Sequence, residues 1–368
     1  MENRKLPLLN LPSDILENEI ASKLDLITLS RIVRVNKRAN KLFQKPFFNA
    51  LLEKLADYIV IEPNEAKIKK IKKILDHYPE FLLKKIKIVI NHTGRPIVNA
   101  TPYQLAYGEG DIEMCEMLAP YFARACGSFE AGENERQKQI RERFSDINPG
   151  KGFDFKPIIK AIANEPFNHG EDENNKWILS EATLTAIETF RKDFDESQPK
   201  IINKGMHFRL ETLKELYEEY ARIAQQWQYD YKKCALLKDG VISFVLRYVP
   251  ENDAQKFKQG LYYLQVKGSE RENFKRSKVT RDGYNFRGAL VAVSPDFHFL
   301  GCCVDIIFGW GGASYLRVAP AGSAPWFAWP PFAASSLAKF MSSKDFKLAE
   351  LMQPANRRHQ ASPWCAIM

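Results

Sequence analysis

The stretch Leu11–Phe43, LPSDILENEIASKLDLITLSRIVRVNKRANKLF, decides how the rest of the chain is read. Leu16, Ile20 and Leu24 recur every fourth residue and mark one apolar helix face. Pro12 and Ser13 stand at its start, where a missing N–H or a capping oxygen costs nothing. Asp25 breaks the pattern. A second helix then carries Leu29, Ile32 and Val33, and a third follows Asn36 with Ala39, Leu42 and Phe43. A unit of ~45 residues has little room for a core of its own. Its leucines and isoleucines exceed what three short helices bury among themselves, so an apolar face is left for a partner, and a helix laid in a groove is the natural form of that docking.

In register, Leu11-Pro12, Ile15-Leu16, Ile20, Leu24-Asp25-Leu26, Leu29, Ile32 and Val35-Asn36-Lys37-Arg38 resemble the F-box, over about Leu8 to Leu52. The resemblance implies a partner, the Skp-type adaptor of SCF (cullin-RING) ubiquitin ligases, and implies Leu11, Pro12, Ile15, Leu16, Ile20 and Leu24 as the residues that bind it. One departure is the missing tryptophan of the last helix, where Phe43 and Phe47 are the residues left to take its place. The residues alone leave an alternative open: an amphipathic helical hairpin packed on its own downstream domain.

Working outward, Thr101-Pro102-Tyr103-Gln104-Leu105-Ala106, then Gly110-Asp111-Ile112-Glu113 and Leu118, resemble one ankyrin repeat. Thr101, Pro102, Leu105, Ala106, Gly110 and Asp111 carry the motif. Proline suits a first helical turn because its absent N–H has no partner there. Upstream, Ile71 to Glu80 resembles the second helix of a degraded preceding repeat, which keeps a period of roughly 33 residues. Fewer than three repeats do not stack stably alone. The segment must lean on the N-terminal unit or on residues 156–268, and a plain helical hairpin is the alternative. Between these two units Lys67, Lys69, Lys70, Lys72 and Lys73 alternate with Ile68, Ile71, Ile74 and Leu75 as the solvated and apolar faces of one helix.

Residues 126–155 are polar and read as a linker with a charged helix inside, from about Glu133 to Phe144. Residues 156–268 read as mostly helical, with long periodic runs at Lys176 to Phe194 and Leu210 to Tyr231. Residues 270–285 are basic and polar, a loop. From 286 to 340 Gly, Ala, Pro and aromatics dominate, with strand-like alternation at Ala289 to Ser294, and a short helix-like run at Ser342 to Met352 precedes a polar tail. The expected architecture is mostly α. It comprises a three-helix F-box-like unit (1–55), short ankyrin-like helical hairpins (56–125), the linker (126–155), a helical C-terminal domain with a small irregular or β portion (156–345) and a tail (346–368).

The net charge of +9 is spread out, with no aromatic-interleaved basic stripe, so nucleic acid is not the expected partner. Six cysteines, Cys115, Cys126, Cys234, Cys302, Cys303 and Cys365, show no CxxC spacing and suit a reducing compartment. No secretory signal and no spanning segment is read, since Asp305 and Arg317 interrupt the best candidate. Six histidines (His77, His92, His169, His207, His298 and His359) show no metal spacing, and no cofactor or catalytic residue is assigned. Gly309-Trp310-Gly311-Gly312 lacks phosphate-loop spacing. Cys303 with His298 is the nearest thing to a nucleophile and base, but Leu300, Val304, Ile306 and Ile307 around them favour buried, inert thiols.

The last four residues, Cys365-Ala366-Ile367-Met368, fit the prenylation box, with Met favouring farnesyl. Cys365 is the lipidation site this implies, with a host prenyltransferase and a membrane surface as further partners. One lipid anchors only marginally, and Arg357, Arg358 and His359 offer a thin basic patch as a second signal. The segment Trp326, Phe327, Trp329 and Phe332 reads as core or a lid over core, with lipid contact as the alternative.

Together, the F-box, short ankyrin segment and prenylation box resemble the F-box/ankyrin effectors that Legionella-type intracellular bacteria inject into eukaryotic cells. Gly205-Met206-His207-Phe208 and Phe257 to Tyr263 are similar to that class as well. The resemblance implies a bacterial effector on the cytosolic face of host membranes, recruiting a ubiquitin ligase to a client protein and doing no chemistry itself. Two rivals stand beside it: an effector enzyme with a catalytic C-terminal domain, and a prenylated scaffold with no ligase link.

Overall fold

The computed structural model describes residues 11–60, 65–145, 152–167, 178–227, 230–250, 252–253 and 329–353. These are mostly helical, with one small two-stranded sheet, as the sequence leads one to expect.

The N-terminal unit begins with a wide π-type turn, Ile15–Ile20, and a tight 3₁₀ turn, Ala21–Lys23. Asp25 ends it by capping the next helix, α1 (Leu26–Ile32): its Oδ1 accepts the Thr28 N–H at 2.7 Å. Asn36 does the same for α2 (Lys37–Val60), accepting the Ala39 N–H at 2.8 Å. Leu16, Ala21, Leu29, Ala39, Leu42 and Phe43 close a small core, with Ile20, Leu24, Ile32, Val33 and Phe47 packed half-buried against it.

α2 runs unbroken through position 55 and belongs to two cores at once. Phe47 packs in the N-terminal core, while its neighbour Phe48 packs with Tyr78 and Phe81 in the next one. That second core holds the apolar face of α3 (Glu65–His77), with Ile71 and Leu75 buried and the lysines Lys69, Lys70, Lys72 and Lys73 turned to solvent.

Between α3 and the ankyrin-like motif lies an antiparallel hairpin, β1 (Ile86–Ile90) and β2 (Pro96–Ala100), with Ile88 opposite Val98 and Ile90 opposite Pro96. Helical hairpins are expected here from the sequence, and the structure has strands instead. The β-branched runs win because Asn91 builds the turn: its Oδ1 accepts from Thr93 N at 3.0 Å and Arg95 N at 3.0 Å, and Gly94 takes φ +80°. On its far edge β2 meets Ile202, with Val98 N donating to Ile202 O at 3.0 Å and Ile202 N to Pro96 O at 2.9 Å.

α4 (Pro102–Gly108), α5 (Ile112–Cys126) and α6 (Phe129–Phe144) follow. The stretch expected as a linker with a charged helix is corrected here, because that helix is α6 and it packs on α5 with Arg136, Gln137, Gln139, Ile140 and Arg143 buried. The third core is formed by α7 (Lys156–Ala163), α8 (Glu181–Ser197), α9 (Leu210–Gln226), α10 (Tyr231–Leu237) and α11 (Ser243–Leu246), around a run of aromatics including Phe153, Phe155, Phe190, Phe194, Phe244 and Tyr248.

The last helix, α12 (Trp329–Met352), is longer than the Ser342–Met352 run expected for it, and it is shared like α2. Leu337 and Met341 enter the third core, and Leu348 and Leu351 enter the second. The tail therefore does not begin at 346, since those two leucines are buried structural residues. The ankyrin-like segment leans on α2 on one side and on α6, α12 and Ile202 on the other. The strand-like stretch 289–294, Cys302, Cys303, His298, Gly309–Gly312, Phe257–Tyr263 and Cys365 lie outside the described residues.

Candidate functional site

The six residues singled out for adaptor docking divide between surface and core. Leu11 and Ile15 are 38% and 39% exposed, and Pro12 beside them is also open. Leu16 is 0% exposed and anchors the core of the unit, so it is unavailable to a partner; Ile20 and Leu24 pack half-buried against that core. The wide turn makes the division. Its register aims Leu16 inward and leaves Ile15 outside, while Leu11 and Pro12, which precede the turn, are also exposed.

At the other end of the unit, the Val35-Asn36-Lys37-Arg38 step is a built corner. Val35 is exposed, and Asn40 Nδ2 donates to Val33 O at 3.1 Å, which locks the end of α1 to the start of α2. A shallow, largely open depression lies there, lined by Val33, Arg34, Asn36, Lys37 and Asn40. Ile27 on α1 is exposed as well. Three small helical pieces thus hold six buried apolar residues and present Leu11, Ile15, Ile27 and Val35 to solvent.

The ankyrin-like residues do structural work. Thr101 caps α4, its Oγ1 accepting the Gln104 N–H at 3.2 Å while Gln104 Oε1 accepts the Thr101 N–H at 3.0 Å. Both side chains then bond to α6: Thr101 Oγ1 donates to Gln139 Oε1 at 2.6 Å and Gln104 Nε2 to Gln139 O at 2.8 Å. Pro102 occupies the first helical turn, and Leu105 and Ala106 are fully buried. Gly110 turns the corner at φ +64°, and Asp111 caps α5 by accepting the Met114 N–H at 2.9 Å. All six residues are buried or at a corner, which leaves the hairpin, not the motif, as the exposed part of this segment.

A seam of buried charge that the sequence reading missed joins this segment to the C-terminal helices. His207 Nδ1 and Glu109 Oε1 lie 2.6 Å apart, both residues buried, and His207 N donates to Gly108 O at 2.8 Å. Arg95 Nη2 donates to His207 O at 3.2 Å, and its guanidinium stacks 5.2 Å over the Tyr248 ring. Tyr248 Oη donates to Asp195, and Lys344 pairs with the fully buried Asp253. Burial lowers the Arg95 guanidinium, with Tyr248, Glu109 and Asp195 opposing, and burial pushes the Tyr248 phenol up. The His207 ring rests on Gly108 so closely that a Cβ at 108 would fall 2.3 Å from Nε2. His207 is therefore wedged in place as part of a structural joint. The one sequence signal was a helix corner, Gly108-Glu109-Gly110-Asp111, too polar for its buried surroundings.

Among the described residues no three His, Cys, Asp or Glu side chains converge as metal ligands, and no helix is long and apolar enough to cross a membrane. No protein-family model, curated protein or solved structure matches the chain.

Proposed function

We propose that the chain is a docking adaptor: its N-terminal unit seats on the Skp-type adaptor of a cullin-RING ubiquitin ligase, and the remainder holds a client protein for modification. The observation that carries this reading is the split of neighbouring residues at the start of the unit, with Leu16 sealed in a six-residue core and Leu11, Pro12 and Ile15 left outside it. A unit this small gains nothing for its own folding from exposed leucine and isoleucine, whereas a helical groove would bury them at about 25 cal/mol per Å². The resemblance of the string Leu11 to Arg38 to the F-box supplies the class of partner.

The architecture supports a rigid bridge between docking unit and client. α2 passes from the N-terminal core into the ankyrin-like core, with Pro46 at the crossing, and α12 links that core to the C-terminal helices. A client held on either later core is kept at a fixed offset from the ligase. Tethering of this kind raises the local client concentration to roughly the millimolar range without new contacts. The chain supplies position, and the ligase supplies the transfer.

The test is capture of the purified adaptor by full-length chain carrying Leu11→Ala, Pro12→Ala and Ile15→Ala together. The expected result is loss of capture with an unchanged far-UV spectrum and melting curve. Failure of the unaltered chain to bind purified adaptor ends the proposal.

A further inference from the structure

The outer edge of β1 is an open hydrogen-bonding edge flanked by apolar and positive side chains. In an antiparallel pair, residues alternate between bonding across the ladder and turning their N–H and C=O away from it. Val98 N donates to Ile202 O, and Pro96 O accepts from Ile202 N, so both turn away from β1. Their opposites, Ile88 and Ile90, therefore turn their backbone groups outward on the other side, and Ile86 follows by the same period. Among the described residues, no backbone or side-chain group bonds to these outward atoms.

The side chains match that open edge. Ile88 is 50% and Ile90 47% exposed, although both are large and β-branched. Lys84, Lys85 and Lys87 are exposed along the same segment; Lys85 lies 3.6 Å from Glu142, and Lys84 and Lys87 have no ion pair among the described residues. Proteins ordinarily blunt a free edge with proline, a bulge or a cover. Here lysine is present, but it is bracketed by exposed isoleucines that keep the edge adhesive.

We propose that β1 receives an extended acidic-apolar peptide as a third strand, bonded through the outward groups of Ile88 and Ile90, with its carboxylates on the face that carries Lys87. Charge selects this occupant. A second copy of the chain pairing β1 to β1 would set lysine against lysine, which is unfavourable between strands. The strand-like stretch Ala289–Ser294 of the same chain carries no charge of its own, so it does not answer the lysines. The inference does not depend on the ligase reading and survives its failure.

The probe is a capped seven-residue peptide of alternating valine and glutamate, titrated into the full chain while hydrogen exchange is followed at residues 86–90. The Ile88 and Ile90 amides are expected to exchange freely without peptide and to be protected on binding. N-methylation of alternate peptide residues, or lysine in place of glutamate, should weaken binding by about tenfold or more. Ile88→Pro removes an outward donor without touching the ladder and should abolish binding while protection in α4 to α6 is kept. Lys87→Glu, which leaves the backbone intact, should shift preference toward the lysine peptide. Protection of Ile88 and Ile90 in the peptide-free chain overturns the proposal, and its loss or persistence on dilution tells whether a second copy or the chain itself fills the edge. Binding indifferent to N-methylation or to Ile88→Pro, or absent at millimolar peptide, overturns it as well.

Discussion

Arg136 donates to the main-chain carbonyl of Leu351, 215 positions further along the chain. The same guanidinium reaches Tyr103 Oη at 3.0 Å, Gln353 O at 3.3 Å and the Glu133 carboxylate, and it is the largest fully buried side chain described. It closes the C-terminal end of α12, where carbonyls lack intrahelical partners and positive charge is favoured. Glu133 and Tyr103 hold its charge against the cost of burial.

Replacing Arg136 with Met should therefore destabilise the chain by about 3–5 kcal/mol, since it removes the charged partner of Glu133 and leaves the buried Leu351 carbonyl and Tyr103 hydroxyl without that donor. Arg136→Lys should not rescue it, because one ammonium cannot reach acceptors in four directions. Equilibrium denaturation measures the loss, and hydrogen exchange should show it first at the end of α12. A change under about 1 kcal/mol for Arg136→Met would mean the joint carries little weight.

Gly108 and His207 make a second joint, and it is steric. A methyl at 108 would collide with the imidazole at 2.3 Å, and that ring is held by Glu109 while the His207 backbone N–H is bonded to the Gly108 carbonyl. Gly108→Ala should cost about 3 kcal/mol by overpacking. If the collision is the cause, Gly108→Ala combined with His207→Ala should cost clearly less than the two separate losses added together, which a double-mutant cycle on thermal stability reads directly.

These joints explain how far sequence reasoning could go. Asp25, Asn36, Thr101 and Asp111 each cap a helix within three residues of themselves, a local device, although in the sequence Asp25 reads only as a break in the pattern. The face of α3 was legible, where Ile71 and Leu75 repeat at helical spacing. α6 misled because hydropathy equates charge with solvent. Arg143 is buried only because Val98 and Ile202, 45 and 59 positions away, offer it carbonyls at 3.1 and 3.0 Å. The hairpin did leave a local trace, two β-branched runs around Asn91 and Gly94, which was read through as helix. Of the six residues expected to dock together, Leu11, Pro12 and Ile15 are exposed and Leu16 is buried, a division that fourth-residue spacing alone does not show because a wide turn rotates Leu16 into the core.

Alkaline pH should loosen the C-terminal helices through Cys234. Burial pushes its thiol up to about 11, partly offset by a hydrogen bond with Tyr220. Below the ordinary thiol value both folded and unfolded chains keep the proton, and stability is whole. Above it the unfolded chain releases the proton first, so stability falls as pH rises towards about 11. Arg143, brought down to about 10 by burial, acts in the opposite sense, but only above that pH. Urea midpoints taken from about pH 8.5 to 10 should decline, and Cys234→Ala should flatten the decline whatever it does to the starting stability. An equal slope in the variant would assign the loss to other groups, first the buried phenols of Tyr107 and Tyr248, whose values are also raised.

Leu16 and Ile15 are adjacent in sequence and should separate folding from docking. Leu16 lies wholly within a core of six residues, so Leu16→Ala removes a large part of it and should cost about 2–5 kcal/mol. That is enough to unfold a unit this small while the larger cores of α3 to α12 persist, and the expected signature is early loss of exchange protection in α1 and the first half of α2 alone. Ile15→Ala gives up little, because the side chain is already 39% exposed, and the melting curve should shift by under about 0.5 kcal/mol. Adaptor binding should fall in both variants but for different reasons, and only in Ile15→Ala with the unit still folded. Should Ile15→Ala bind purified adaptor as tightly as the unaltered chain, the exposed turn is not the contact, and the depression at Val33, Asn36 and Asn40 becomes the face to test.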